Sequence, residues 1–239
     1  MKTRMTDLLG IDVPIFAFSH CRDVVAEVSK AGGFGVFGVA YKTAEQLDTE
    51  LKWIDEHVGG KPYGIDVLLP NKYEKLGDRR VTPADLPAPQ VEFMRRVLDE
   101  AGIPRLPEDM APTLVQEMLD RINMTREQTE ALLEVALRHP IKAVVSALGT
   151  PPRETVARLH GLGIPVGALA GKPAHAVDHK EAGVDFIVAQ GMEAGGHTGK
   201  LSSMILWPQV IDAVAPLPVL AAGGVGRGRQ MAAAIALGA

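Results

Sequence analysis

The chain has a single cysteine, Cys21, so no internal disulfide can form. That usage fits a reducing compartment. Long hydrophobic runs are missing too. No stretch approaches the roughly 20 apolar residues that a membrane helix needs. The opening MKTRMTDLLGIDVPIF carries basic residues but no apolar signal core, because Asp7, Gly10 and Asp12 interrupt it. A dominant charge is also lacking: 25 Lys and Arg against 29 Asp and Glu give a formal net charge of −4. Without a basic block or interleaved aromatics, nucleic acid is not an expected partner. His20 and Cys21 are adjacent but have no companions at metal-ligand spacing, so no metal site is expected. The expectation is a cytoplasmic protein with no membrane contact.

What is present is an alternation. The 239 residues suit one large domain or two small ones. Apolar runs at 14–18, 34–39, 63–69, 143–148, 165–170, 186–191 and 218–224 are separated by helical patterns, several closed by glycine. Thr43 with Gln46 three residues on reads as a capping box. Continuous apolar strands are covered on both faces, which implies a parallel sheet. Repeated βα units allow a doubly wound sheet or a (β/α)8 barrel. The tight helix-to-strand junctions, and special residues placed just after strands, favour the barrel.

Residues 71–138 break the pattern, being charged, proline-punctuated and helical. Removing them leaves roughly 170 residues, short of the ~250 usual for the barrel. The reading is therefore an α/β TIM (β/α)8-type barrel, truncated after its seventh βα unit, with a helical insertion after strand three. Residues 1–70 and 139–239 form the barrel. Residues 71–138 form a lid, a substrate-shaping subdomain or a homo-oligomer contact. The first and last strands would have unpaired edges.

The chemistry concentrates in AQGMEAGGHTGK (189–200), which places four glycines around His197. Glycine is the residue that loses most freedom on folding, so the backbone there is expected to approach a ligand. A histidine just past a strand is a candidate base near neutral pH, or a solvated loop residue. Gly195 and Gly196 permit close approach or a plain turn. The Gln190 amide needs hydrogen bonds, from a ligand or from neighbouring backbone. Glu193 reads as exposed, and Met192 and Met204 as core or pocket filler. A second glycine cluster, PVLAAGGVGRGRQ, runs from a strand through Gly223, Gly224, Gly226 and Gly228 into a helix, a geometry suited to phosphate, with Arg227 or Arg229 adding charge. Lys172 reaches a phosphate or the electron-rich end of a ring, or is solvated. Asp66 is an acid in an apolar strand, so it is expected to be bonded or functional. Phe18, Ser19 and His20 end strand one and are placed to line a pocket.

AQGMEAGGHTG followed by PVLAAGGV, together with VPIFAF…VSKAGGFGVFG and EAGVDFIVAQG, resembles the nitronate monooxygenases. The resemblance implies an FMN-binding barrel and a flavin-dependent oxidoreductase. Such an enzyme oxidises alkyl nitronates or nitroalkanes with O2 to a carbonyl compound and nitrite. It puts His197 in the place of the catalytic histidine, and Gln190, Gly195, Gly223 and Gly224 at flavin positions. Phe18, Asp66, Lys172 and Gly196 complete the expected cofactor contacts. Two positions depart from the family pattern: strand one usually ends in Pro-Met where this chain has Phe18-Ser19-His20, and asparagine is frequent where it has Asp66. A similar glycine–histidine loop occurs in FMN-dependent enoyl-acyl-carrier-protein reductases, which use NAD(P)H. A non-catalytic truncated barrel is the third alternative.

Overall fold

The computed structural model of the chain describes residues 2–69, 82–107, 109–122 and 126–239. Seven strands, β1 (Phe16–Ser19), β2 (Phe34–Gly38), β3 (Tyr63–Val67), β4 (Val144–Ser146), β5 (Val166–Ala170), β6 (Phe186–Gln190) and β7 (Val219–Ala222), form one parallel sheet. They are ordered in space as in the chain. A doubly wound sheet reverses its order at a switch point; this one does not. With right-handed crossovers, sequential order puts the connecting helices on one face, and the sheet curls around the other. That is the winding of a TIM barrel. β1 and β7 are its two edges and are not bonded to each other.

The helices are α1 (Arg4–Leu9), α2 (Arg22–Lys30), α3 (Ala44–His57), α4 (Ala88–Glu100), α5 (Ala111–Ile122), α6 (Arg126–Ala136), α7 (Arg153–Gly161), α8 (Pro173–Ala182), α9 (Ser203–Val214) and α10 (Gly228–Ala236). α3 starts where its capping box predicts: the Gln46 N–H donates to Thr43 Oγ1 at 3.2 Å, and the Thr43 N–H donates to Gln46 Oε1 at 3.0 Å. α1 is not anticipated from hydrophobic period. A second box, Thr3 with Thr6, opens it, and Gly10 at φ 67° closes it.

Period-two alternation sorts the strand residues onto two faces. Phe37, Ile65, Val144, Ala168, Ile187 and Val219 join the helices in the outer core. Phe34, Val36, Val145, Phe186, Val188 and Leu220 face the interior, together with Met5, Leu9 and Ile11. α1 thus plugs the N-terminal end of the sheet. Large and small interior residues alternate. A Cβ on Gly64 would stand 2.8 Å from the Phe34 ring, and one on Gly167 would stand 2.2 Å from the Phe186 ring. Outside, a Cβ on Gly35 would come within 2.3 Å of the Val25 carbonyl, so the absence of a side chain sets how closely α2 packs.

The chain divides into two compact units, Met1–Lys72 with Arg126–Ala239, and Tyr73–Thr125. The second is smaller than the expected insertion because α6 belongs to the first. Leu133 and Ala136 of α6 join Leu47, Leu51 and Ile54 of α3 in the outer core. Beyond α6, the imidazole of His139 sits between two acids, 2.6 Å from Asp55 Oδ2 and 3.3 Å from Asp48 Oδ1. The Tyr63 hydroxyl donates to Asp55 Oδ1 at 2.6 Å, and burial, then Asp55, pushes that phenol up. In the second unit α4 buries none of its residues, and Phe93 and Met94 are exposed. Among the described residues, no helix is long and apolar enough to cross a membrane.

Candidate active site at the C-terminal mouth

Strand direction brings the special residues to one end. Phe18 and Gln190 lie at or next to the C-terminal ends of β1 and β6, and Asp66 lies one residue before the end of β3. His197, Gly195 and Gly196 fall in the loop between β6 and α9, Gly223 and Gly224 in the turn between β7 and α10, and Lys172 just before α8. In a barrel of this winding, this is the end where active sites are built.

Phe18 is 55% exposed although it is on the interior side of β1. Its ring meets His20 edge-on, with centroids 5.1 Å apart. The His20 Nδ1 lies 3.0 Å from the Gly38 carbonyl. Gly38 has no room for a side chain, since a Cβ would stand 2.6 Å from the His20 ring and 2.8 Å from Phe18. Asp66 is paired in register with Gly38 on one side and Val145 on the other. It is 8% exposed, and burial pushes its carboxyl up to about 7.

The glycine–histidine loop is anchored from below. The Gln190 Nε2 donates to the Gly195 carbonyl at 3.0 Å, so neighbouring backbone takes up that half of the amide. Glu193 faces solvent, as expected, but it is not idle. Its Oε2 accepts the Ser203 N–H and lies 2.8 Å from the Ser203 hydroxyl. The Ser203 N–H, then its hydroxyl, hold the Glu193 carboxyl below the usual range. A carboxylate suits this position, the first turn of α9, where unpaired amides carry partial positive charge. The Ser203 hydroxyl also lies 2.9 Å from the Gly223 carbonyl, so one buried side chain joins the β6 loop to the β7 turn. Gly191 and Gly223 make room for it: a Cβ on either would come within 2.2 Å or 2.6 Å of that oxygen. Trp207 Nε1 completes the link, 3.2 Å from the Ala189 carbonyl and 3.3 Å from that of Ala222.

Above this anchor, His197 is exposed. A Cβ on Gly195 or Gly196 would meet nothing within 4 Å. Gly196, Gly223 and Gly224 all have positive φ, at 76°, 109° and 74°. In the last turn the Gly226 N–H donates to Gln230 Oε1 at 2.9 Å, so that amide is already used. Lys172 is exposed, and after burial its charge helps push the neighbouring His175 imidazole down. Met192 and Met204 are not core; both are exposed, at 53% and 61%.

Ser203, Trp207, Gln230 and His179 carry this architecture without standing out in the sequence. His179 is buried, its Nε2 2.9 Å from the Leu169 carbonyl and its Nδ1 3.0 Å from the Thr150 hydroxyl. A carbonyl only accepts, so Nε2 bears the proton and Nδ1 accepts from Thr150. Burial pushes this imidazole down, in keeping with a neutral ring.

The sequence pattern of the nitronate monooxygenase family matches residues 2–239. The chain belongs to this family. Rv1533 of Mycobacterium tuberculosis, provisionally named a monooxygenase, is 49% identical over 243 residues, covering 100% of this chain and 64% of its own length. A Staphylococcus saprophyticus protein provisionally named a nitronate monooxygenase is 30% identical over 255 residues, covering 100% of this chain and 65% of its own. Among solved structures, the nitroalkane oxidase of Streptomyces ansochromogenes has a TM-score of 0.70 at 29% identity, covering 99% of this chain and 65% of that one. FabK from Thermotoga maritima has a TM-score of 0.70 at 26% identity, covering 100% and 60%. This nitronate monooxygenase family chain thus spans a little under two thirds of the length of the curated relatives it matches.

Proposed function

We propose that the chain carries the FMN site for oxidation of alkyl nitronates or nitroalkanes with O2, giving a carbonyl compound and nitrite. The observation that carries this reading is the exposed His197 imidazole, on a glycine loop tethered through Glu193 and Ser203 to the rim of the mouth. The residues there suit a planar group with polar edges. Phe18 offers apolar surface. Asp66 and the Gln190 Oε1 have no hydrogen-bond partner among the described residues. Gly195 and Gly196 leave open space against the backbone. Gly223, Gly224 and Lys172 would hold the phosphate end.

FMN, when bound, supplies the electron transfer and the reaction with O2. The protein binds, orients and moves protons. A neutral His197 removes the α-proton of a nitroalkane; a protonated one holds the nitronate oxygens. Phe18 covers one edge of the mouth with apolar surface. Glu193 and Ser203 keep the loop that carries His197 in place.

The second reading is an FMN-dependent enoyl-acyl-carrier-protein reductase using NAD(P)H, which the same glycine–histidine loop supports. Anaerobic addition to the flavin-loaded protein separates the two. Nitronate bleaches the flavin absorbance under the first reading and NADH under the second. A protein that stays colourless with added FMN would sink both and leave a non-catalytic barrel.

A further inference from the structure

Asp66 sits where the apolar lining of the barrel gives way to its mouth. Tyr63, Ile65 and Val67 of β3 belong to the outer core, so Gly64 and Asp66 turn to the interior. Across the sheet β4 presents Val145, an inner-core residue, and β2 presents Gly38. The nearest titratable neighbour that these contacts place is His20 of the β1 end, whose ring occupies the space above Gly38. Burial is the cause of the raised Asp66 carboxyl, and no charged side chain adds to it. No described residue gives this carboxyl a hydrogen bond. Among the described residues no fully buried side-chain oxygen lacks a partner, so this carboxyl is not sealed in apolar surroundings but is open to solvent or to a polar group. With apolar residues and glycine beside it in the sheet, the direction left for a partner is the mouth.

We propose that Asp66 is a ligand-binding acid: its protonated carboxyl donates an O–H to a carbonyl or ring-nitrogen acceptor on the planar heterocycle in the mouth, so that ligand binding is linked to proton binding, an assignment that rests on the flavin reading above. The alternative, a carboxylate accepting from a ring N–H, gives the opposite pH dependence. Because burial holds the Asp66 proton up to about pH 7, affinity is constant below that value and weakens above it, by about tenfold per pH unit.

The experiment is a flavin fluorescence titration of the whole chain from about pH 5.5 to about 9. Riboflavin is run beside FMN, since it lacks a phosphate that titrates in the same range. Wild type is expected to lose affinity for both above pH 7, and Asp66→Asn to bind riboflavin with a flat pH profile. Calorimetry in buffers of different ionisation enthalpy gives a second readout that needs no variant: near pH 8, wild type takes up about one proton per flavin bound. Flavin binding with no pH dependence, tighter binding at high pH, or an equal slope in the variant would each overturn the role of Asp66 and leave the flavin reading standing. Failure of both flavins to bind at every pH would overturn the two together.

Discussion

The two ends of the barrel are built from the same strands and treat them in opposite ways. At the N-terminal end, Met5 and Leu9 of α1 join Phe34 and Phe186 in one core cluster, and the interior is closed with apolar side chains. At the C-terminal end, Phe18 is exposed, Asp66 is buried without a partner among the described residues, and His197 stands on glycines. One end gains stability from packing. The other keeps polar groups and open backbone that a closed core would eliminate, which fits the binding role proposed for it.

Four substitutions probe this contrast, ranked by their expected effect on stability. Phe186→Ala empties the packed end, and urea unfolding should show a loss of about 3–5 kcal/mol. Flavin affinity should hardly change. A mouth that lost its ligand along with this ring would mean that the two ends are not separable.

Asp66→Asn comes next, and its effect depends on pH. The native carboxyl is raised from 3.8 to about 7, so the folded chain keeps a proton that the unfolded chain releases. Wild-type stability should therefore fall as pH rises from about 4 to about 7 and level off above, by up to roughly 4 kcal/mol. The asparagine variant should lack this fall. Parallel stability curves for the two proteins would show that Asp66 is not buried in solution.

Ser203→Ala removes the hydroxyl shared by Glu193 and Gly223. A cost of about 1–2 kcal/mol is expected, with faster amide exchange in both the 191–200 loop and the 223–228 turn. Faster exchange in one alone would mean the loops are not joined through this residue. His197→Ala should change stability least, by no more than about 0.5 kcal/mol, while abolishing nitroalkane turnover and sparing the bound flavin. Unchanged turnover would remove the base assigned here.

The strands were legible because apolar runs covered on both faces leave an uninterrupted trace, and β1 to β7 all fall within the runs read from the sequence except Ser19, one residue beyond the first. His197 and the glycines around it were legible because such residues are conspicuous after a strand. The anchoring was not. Glu193 and Ser203 meet across ten residues of loop and imprint no period on the chain. α6 shares the charged helical pattern of α4 and α5, and only its packing on α3 assigns it to the barrel. α1 has six residues, too few for a helical period to register, though its Thr3–Thr6 box and Gly10 were signals that could have found it.

Hydrogen exchange with and without FMN tests most directly whether the mouth is a flavin site. Added FMN should slow exchange in the 189–200 loop and the 222–229 turn and leave α1 and the first residues of β2 and β6 unchanged. Protection centred on the packed end, or none at saturating FMN, would contradict the account.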